Sequence, residues 1–192
     1  MSTTLLDIRF MVEREFQTSL ENESIVIWCN NAQSDFGATI NVPATSTISA
    51  LTTQLTYALP TNLKIITRLW SLTDYNNGID APIEDKYRIF NGNIIFPGYF
   101  RQAFTLNVDY YKLLTYFTDT SNLIDIDDRY ATIYTYYCKA MYFQMPSVIA
   151  SIGDNAALNK YNSAMAGYES IKDQVFQQYL FRNEPSVISE RW

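Results

Sequence analysis

Few residues in this sequence are of a type and spacing that could do chemistry. Histidine is absent, and this side chain is the one that most often transfers protons near neutral pH and binds transition metals. The two cysteines, Cys29 and Cys138, lie far apart, and neither belongs to a CxxC motif. The sequence therefore excludes Ser-His-Asp and Cys-His catalytic sites, and its cysteines lack the spacing of a zinc cluster.

Phosphate-binding and cation-binding motifs are missing as well. The six glycines never approach the GxGxxG or GxxxxGK spacing of nucleotide-binding loops. Asp125, Asp127 and Asp128 form an acidic group, but no glycine and distal glutamate of an EF-hand loop follow it. We interpret these carboxylates as stabilising the start of a helix. The sequence predicts no enzymatic activity, no cofactor and no metal site.

The remaining reactive and aromatic side chains are interpreted as packing residues. Two cysteines in such a sequence are typically small buried hydrophobic residues kept as free thiols in a reducing compartment, although spacing alone leaves a disulfide open. A tyrosine-rich run follows helical spacing with few lysines or arginines between its members, which favours core and interface packing over base stacking. Its members are Tyr130, Tyr134, Tyr136, Tyr137 and Tyr142.

Composition limits the class of protein. Hydrophobic residues make up 47% and charged residues 18% of the 192 residues, which is typical of an ordered globular chain. With 14 Lys+Arg against 20 Asp+Glu, the net charge is -6, opposite to the basic surface of a nucleic-acid binder. No run of about 18 apolar residues exists, and the first residues lack the apolar core of a signal peptide. We expect a soluble protein that is not secreted by the general route.

Helical periodicity appears at both ends of the chain. Apolar residues at Leu5, Ile8, Val12 and Phe16 share one helix face, and Asn22 or Ser24 is expected to cap a second helix, so that residues 3–40 form two antiparallel helices. Two further helices are predicted within residues 126–181. The first of these is expected to begin at Asp125 or Asp127 and to end at Pro146, and the second to be capped by Asp154 or Asn155.

The middle of the chain has the period of β-strands. Leu55, Tyr57 and Leu59 alternate with polar residues, the Asn91-Gly92 pair is typical of a hairpin turn, and a final strand is expected from Phe104. The predicted fold class is α+β, mainly α. It is a bundle of about four helices with a small antiparallel sheet inserted at residues 53–117 and an extended C-terminal arm at 182–192, all in a single domain over 1–192.

Two groups of residues are candidates for binding other proteins. The arm has no periodicity but keeps apolar and cationic anchors, so it is either a docking peptide or plain disorder. Its candidate binding residues are Arg182, Pro185, Val187, Ile188, Arg191 and Trp192. Aromatic and apolar residues beside the turns of the middle region either fold back onto the helices or contact a neighbouring protein subunit. They are Trp70, Tyr75, Ile79, Tyr99 and Phe100.

The order of these elements resembles a known family, the head-to-tail adaptor (connector) proteins of tailed bacteriophages. The resemblance covers nearly the whole chain as an architectural pattern, and four segments contribute most to it. They are IVIWCNNAQSDF at 25–36, TQLTYALPTNLKIITRLW at 53–70, LNVDYYKLLTYFTD at 106–119 and DIDDRYATIYTYYCKAM at 125–141.

The resemblance implies a structural virion protein without an active site. Such a protein is a subunit of a ring, usually of twelve copies, that joins the portal protein to a tail protein below it in the virion neck after assembly in the host cytoplasm. Its C-terminal arm reaches the portal, no membrane is involved, and genomic DNA passes through the central channel without specific binding. The acidic charge agrees with this implication, because a channel wall that lets DNA slide should bind phosphates weakly.

The alternative function is a non-enzymatic carbohydrate- or protein-binding module that uses aromatic residues of the middle sheet. A hydrolase with paired carboxylates is a more distant alternative. Oligomeric state distinguishes the adaptor from the binding module, because a binding module can be monomeric whereas an adaptor must form or join a ring.

Overall fold

The computed structural model describes residues 2–71, 87–98, 100 and 103–181, apart from the side chain of Phe181. In these residues the chain forms five α-helices and six strands, and the strands pair into two three-stranded antiparallel sheets. The elements group into two compact units. Unit 2 is Asn41–Leu113, and unit 1 is built from the described residues before and after it. A single domain over 1–192 stays a prediction.

All five helices belong to unit 1. They are α1 (Leu5–Phe16), α2 (Asn22–Gly37), α3 (Thr132–Phe143), α4 (Pro146–Ile152) and α5 (Asp154–Phe181). A short 3-10 turn, Asp128–Tyr130, precedes α3. In the described part of the chain, no helix combines the length and the apolarity that a membrane crossing requires.

Helix α1 begins with a complete capping box. The Thr4 hydroxyl accepts a hydrogen bond from the Asp7 backbone N–H at 3.2 Å, and the Asp7 carboxylate accepts one from the Thr4 backbone N–H at 2.8 Å. The Thr4 hydroxyl also donates to this carboxylate at 2.7 Å, and together with the Thr4 backbone N–H it holds the pKa of Asp7 below its usual value. Leu5, Ile8 and Val12 are fully buried, which confirms the predicted inward face.

The start of α2 differs from the prediction. The capping residue is Glu21, whose side chain makes no capping hydrogen bond, so the prediction of Asn22 or Ser24 as the cap is wrong. The Asn22 side chain instead accepts a hydrogen bond from the Arg9 guanidinium of α1. Glu13 of α1 accepts the Leu20 backbone N–H at 2.7 Å and pairs with Arg9 at 2.8 Å. Contacts with α1 therefore position the start of α2.

Helix α5 packs along α3 through small and aromatic residues. Its buried positions are separated by seven or four residues, about two turns or one turn, and so lie on one face of the helix. They are Ala157, Ala164, Tyr168, Val175 and Tyr179. At Gly167 a Cβ atom would lie 2.5 Å from the Tyr136 ring of α3, so glycine permits the close approach of that ring. Tyr137 of α3 also lies edge-to-face against Tyr168, so Tyr136 and Tyr137 pack on this face as predicted.

Helix α5 is also tied to α2 by a polar cluster. The Asp35 carboxylate of α2 accepts hydrogen bonds from the Tyr168 hydroxyl and the Lys172 ammonium group, both at 2.7 Å. The Lys172 and Tyr168 donors hold the pKa of Asp35 below its usual value. Burial and the bond to Asp35 raise the pKa of Tyr168 far above its usual value, so this hydroxyl stays a donor at neutral pH.

Pro146 both separates two helices and begins one. Helix α3 ends at Phe143, near the predicted end, and Pro146 is in the first turn of α4, where its missing N–H needs no partner. Gly153, with a φ of 84°, then separates α4 from α5. The sequence analysis missed α4 because seven residues are too few for an apolar period to be recognised.

Two buried amides hold the chain where it returns from unit 2. Asn30 of α2 donates to the Phe117 backbone carbonyl and accepts the Phe117 backbone N–H, both at 2.9 Å. Gln33 donates to the Thr115 carbonyl at 2.6 Å and accepts the Tyr134 hydroxyl at 2.9 Å. The two side chains thus pair with an extended segment as a neighbouring strand would.

Unit 2 contains both sheets. The strands are β1 (Val42–Ala50), β2 (Thr56–Ala58), β3 (Leu63–Trp70), β4 (Arg88–Phe90), β5 (Asn93–Ile95) and β6 (Phe104–Lys112). The first sheet has the order β1-β6-β3 and the second β2-β5-β4. Ile48 pairs with Leu106 in the first sheet and Tyr57 with Ile94 in the second. All four side chains belong to one hydrophobic core.

The Asn91-Gly92 hairpin is confirmed. Both residues have positive φ values, 47° and 69°, as a two-residue primed turn requires. The turn connects β4 to β5, and Phe90 pairs with Asn93 across it.

The predicted fold class is wrong. In place of about four helices and one small sheet, the described residues form five helices and two sheets, with 48% helix and 23% strand. The β-region also begins earlier than predicted. It starts at Val42, whereas the prediction missed β1 and placed the start at residue 53. Its segment, VPATSTISA, places exposed Thr and Ser between small or partly buried residues, so the apolar alternation is weak. The predicted arm at 182–192 lies outside the described residues.

Replacing Asn30 with alanine should destabilise the protein strongly. The substitution leaves the buried N–H and C=O of Phe117 without their partners, which we expect to lower the free energy of unfolding by about 2–4 kcal/mol. Urea denaturation followed by circular dichroism measures this loss. The matched control is Asn162→Ala on the exposed face of α5, which should change stability by less than about 0.5 kcal/mol. Equal effects of the two substitutions would contradict the role given to Asn30.

Candidate functional site

The carboxylates that could have formed a reactive or metal-binding group are used in local structure. Asp125 accepts the Thr115 backbone N–H, Asp128 accepts the Thr3 backbone N–H at 2.8 Å, and Asp127 accepts the N–H of Arg129 at 3.0 Å. Asp127 thereby caps the short 3-10 turn Asp128–Tyr130. Helix α3 itself begins at Thr132, with Ala131 as its capping residue and no side-chain capping hydrogen bond, so the prediction of Asp125 or Asp127 as its cap is wrong. Among the described residues, no three His, Cys, Asp or Glu side chains gather as a metal site would require.

The two cysteines lie side by side in unit 1. Cys29 of α2 and Cys138 of α3 are fully buried free thiols, and their Sγ atoms are 3.7 Å apart. Their prediction as buried small residues is confirmed, and the structure adds that they contact each other.

Trp70 is the best-defined member of the predicted interface set. It is half-buried at the end of β3, and its indole N–H donates to the Asp109 carboxylate of β6 at 2.9 Å. The other oxygen of this carboxylate accepts the Thr45 hydroxyl of β1 at 2.8 Å. The Arg68 guanidinium lies 5.5 Å from the centre of the indole ring. The three strands of the first sheet therefore hold this side chain in one orientation.

Phe100 has a different environment. Its ring centre lies 4.9 Å from that of Phe96 and 4.7 Å from that of Phe104, both in edge-to-face geometry. Phe100 is partly buried against the core of unit 2, so this core accounts for much of its apolar surface. Tyr75, Ile79 and Tyr99 lie outside the described residues. The interface role of all five residues stays a prediction.

The structure reveals exposed apolar residues on unit 2 that the sequence analysis missed. Ile89 and Phe90 of the edge strand β4 are 50% and 63% exposed, and Ile65 of β3 is 53% exposed. The signal for Phe90 was its position directly before the Asn91-Gly92 turn. A side chain at the end of a two-residue hairpin has few neighbours that could cover it.

Unit 1 also has an apolar surface that was not predicted. Leu6, Phe10 and Met11 lie outside the buried stripe of α1 and are 37%, 56% and 46% exposed, and the Met11 sulfur accepts a hydrogen bond from the Thr135 hydroxyl of α3 at 3.7 Å. The prediction for this helix concerned only its inward-facing apolar residues. The missed signal was that α1 has large apolar side chains at Phe10 and Met11, outside that stripe.

The third candidate group is the C-terminal arm. Its predicted binding residues, from Arg182 to Trp192, lie outside the described residues, and the last described element is α5. The binding role of Arg182, Pro185, Val187, Ile188, Arg191 and Trp192 stays a prediction.

Comparison with known proteins assigns this chain to a family. A family model described as SU10 adaptor protein matches residues 3–182, a range that includes all the described helices and strands. The comparison with curated proteins finds no match. The last ten residues of the predicted arm lie beyond the family match. Because the match extends over both units, it confirms the resemblance to phage adaptors, and the chain belongs to the SU10 adaptor protein family of phage structural proteins.

Proposed function

We propose that this protein is the ring-forming adaptor subunit that joins the portal protein to the tail in the neck of a phage particle. The observation that carries the proposal is the family match over residues 3–182. The family match favours this function over a carbohydrate-binding module. The packing of Phe100 into the core of unit 2 also removes one of the aromatic side chains that such a module would use.

Exposed apolar side chains on both units support a role in assembly. A ring is built from heterologous contacts, so each copy must present two different surfaces to its two neighbours. The α1 surface (Leu6, Phe10 and Met11) lies on a helix, and the β4 surface (Ile89 and Phe90) lies on an edge strand. Two such surfaces can bind different partners. Twelve copies, the portal above and a tail protein below follow from the resemblance to head-to-tail adaptors.

The charge of the chain supports a channel that does not bind DNA specifically. The net charge is -6, and a protein that grips DNA needs an excess of Lys and Arg to displace the counterions of the phosphates. An acidic ring can surround a channel through which the genome passes while binding it weakly. Assembly in the host cytoplasm precedes this passage.

The decisive experiment is to measure mass in solution. Native mass spectrometry of the subunit, alone and mixed with its portal protein, should show a closed ring or a ring joined to the portal. A subunit that stays monomeric in both samples would contradict the adaptor function and would favour the binding module.

Replacing Phe90 with glutamate should weaken assembly without unfolding the subunit. The side chain is 63% exposed, so its loss costs the isolated fold little, whereas a charge in an apolar contact costs about 2 kcal/mol or more, roughly 30-fold in affinity. Native mass spectrometry measures the assembled fraction, and thermal unfolding checks the fold. Thr47→Glu adds the same charge at another exposed strand position of unit 2 and should leave assembly intact. Normal assembly of the Phe90→Glu variant would exclude the β4 surface.

Deleting residues 183–192 should abolish portal binding and leave the thermal midpoint of the subunit almost unchanged. The deletion removes apolar and cationic anchors of the arm, including Trp192, and it begins beyond α5. A variant with the same ten residues in scrambled order preserves length and charge and should also fail to bind, because docking requires the anchors at their own spacing. Portal affinity equal to that of the full chain in either variant would refute docking by the arm.

A further inference from the structure

The proposed function makes no use of the two buried cysteines, yet their geometry gives them a chemistry. Cys29 and Cys138 come from different helices, both are fully buried, and their Sγ atoms are 3.7 Å apart. We propose that this pair is a modification site, a protected dithiol that a small disulfide oxidant converts into an intramolecular disulfide linking α2 to α3.

The positions of the two sulfur atoms are suited to bond formation. A disulfide has an S–S length of about 2.05 Å, so the sulfurs need to approach each other by only about 1.6 Å more. Small rotations about the Cα–Cβ bonds, with a slight shift of two helices that are already packed together, can supply this approach. The chain contains two cysteines in all, so no third thiol competes within the subunit.

The reaction balances as a thiol–disulfide exchange. One cysteine loses its proton, and its thiolate attacks a sulfur of the oxidant RSSR, which forms a mixed disulfide and releases RS⁻. The thiolate of the second cysteine then attacks the protein sulfur of the mixed disulfide, forms the Cys29–Cys138 bond and releases another RS⁻. Two electrons pass to the oxidant, and the two protons from the cysteines convert both leaving groups to RSH.

The surroundings of the pair make it slow to react in the folded subunit. The hydrogen bond with Cys29 and burial both raise the pKa of the Cys138 thiol well above its usual value, and the thiolate is the reacting form. The oxidant also has no direct access to side chains with no exposed surface. The oxidation therefore proceeds through local opening of the α2–α3 contact.

The position of the pair in the chain gives the bond its effect. The segment between Cys29 and Cys138 contains the whole of unit 2, Asn41–Leu113. A link between α2 and α3 would close this segment into one long loop, and cross-links that close long loops restrict the unfolded chain most in the loop-entropy model. Under the proposed function, on which this step rests, the subunit leaves a reducing cytoplasm as part of a particle. The bond would then form after assembly and stabilise unit 1.

The test uses the full chain, purified with reductant and then incubated with oxidised glutathione. Intact-mass measurement should show the loss of two hydrogen atoms, about 2 Da, and peptide mapping should show Cys29 joined to Cys138. The rate should rise several-fold in urea below the unfolding transition, because urea favours local opening. The thermal midpoint of the oxidised form should exceed that of the reduced form by roughly 5–15 °C.

Two variants serve as matched controls. Cys29→Ala and Cys138→Ala each retain one thiol, so they should form at most a glutathione adduct, and their midpoints should not rise on oxidation. Stable glutathione adducts on both cysteines of the natural sequence, disulfides between two chains, or absence of a link even in urea would overturn the proposal. An equal midpoint for the oxidised and reduced forms would also overturn it. The assay on the natural sequence gives a result whether or not the variants fold, and it is independent of ring formation.

Discussion

The arrangement of unit 1 depends on how α2 satisfies the backbone of the returning chain. After β6 the chain runs extended through Thr115 and Phe117, and none of the described strands pairs with it there. Asn30 and Gln33 take the place of such a strand, and the Tyr134 hydroxyl occupies the remaining side-chain oxygen of Gln33. Unpaired backbone groups at this depth would each cost about 1–3 kcal/mol. The helical unit can therefore accommodate an inserted β-unit, because two amides on one helix turn bind the backbone of the returning segment.

The packing of the aromatic residues follows from this constraint. The Tyr134 ring lies between Phe36 of α2 and Phe117 of the returning segment, with ring centres 5.6 Å and 5.8 Å away in edge-to-face geometry. Tyr134 thus belongs to the hydrophobic core through its ring and to the polar network through its hydroxyl. Burial raises the pKa of this hydroxyl well above its usual value, which keeps the proton that Gln33 needs. The high tyrosine content of α3 reflects this double use of a large ring with one polar atom.

Local signals in the sequence predicted the elements that depend on local physics. The inward face of α1, the Asn91-Gly92 turn and the burial of the cysteines each follow from a few adjacent or periodic residues. Strand β1 could not be predicted in this way, because its stability comes from pairing with β6, as in Ser46 with Val108, far along the chain. The same limit applies to the candidate site. The exposure of Phe10 and Phe90 depends on which faces the rest of the fold leaves uncovered, and no local pattern contains that information.

Several carboxylates of this chain serve its own fold. Hydrogen bonds hold the pKa of four carboxylates below the usual value. The donors are the hydroxyl and backbone N–H of Thr4 for Asp7, the backbone N–H groups of Leu20 and Ser121 for Glu13 and Asp119, and the side chains of Lys172 and Tyr168 for Asp35. Each carboxylate is ionised at neutral pH and already occupied by a structural partner, so none is suited to give or take a proton in a reaction. Leu6 and Phe10 of α1 and Ile89 and Phe90 of β4 are instead exposed to solvent. Exposed apolar side chains of this kind are typical of surfaces that contact other proteins, which agrees with membership of an adaptor family.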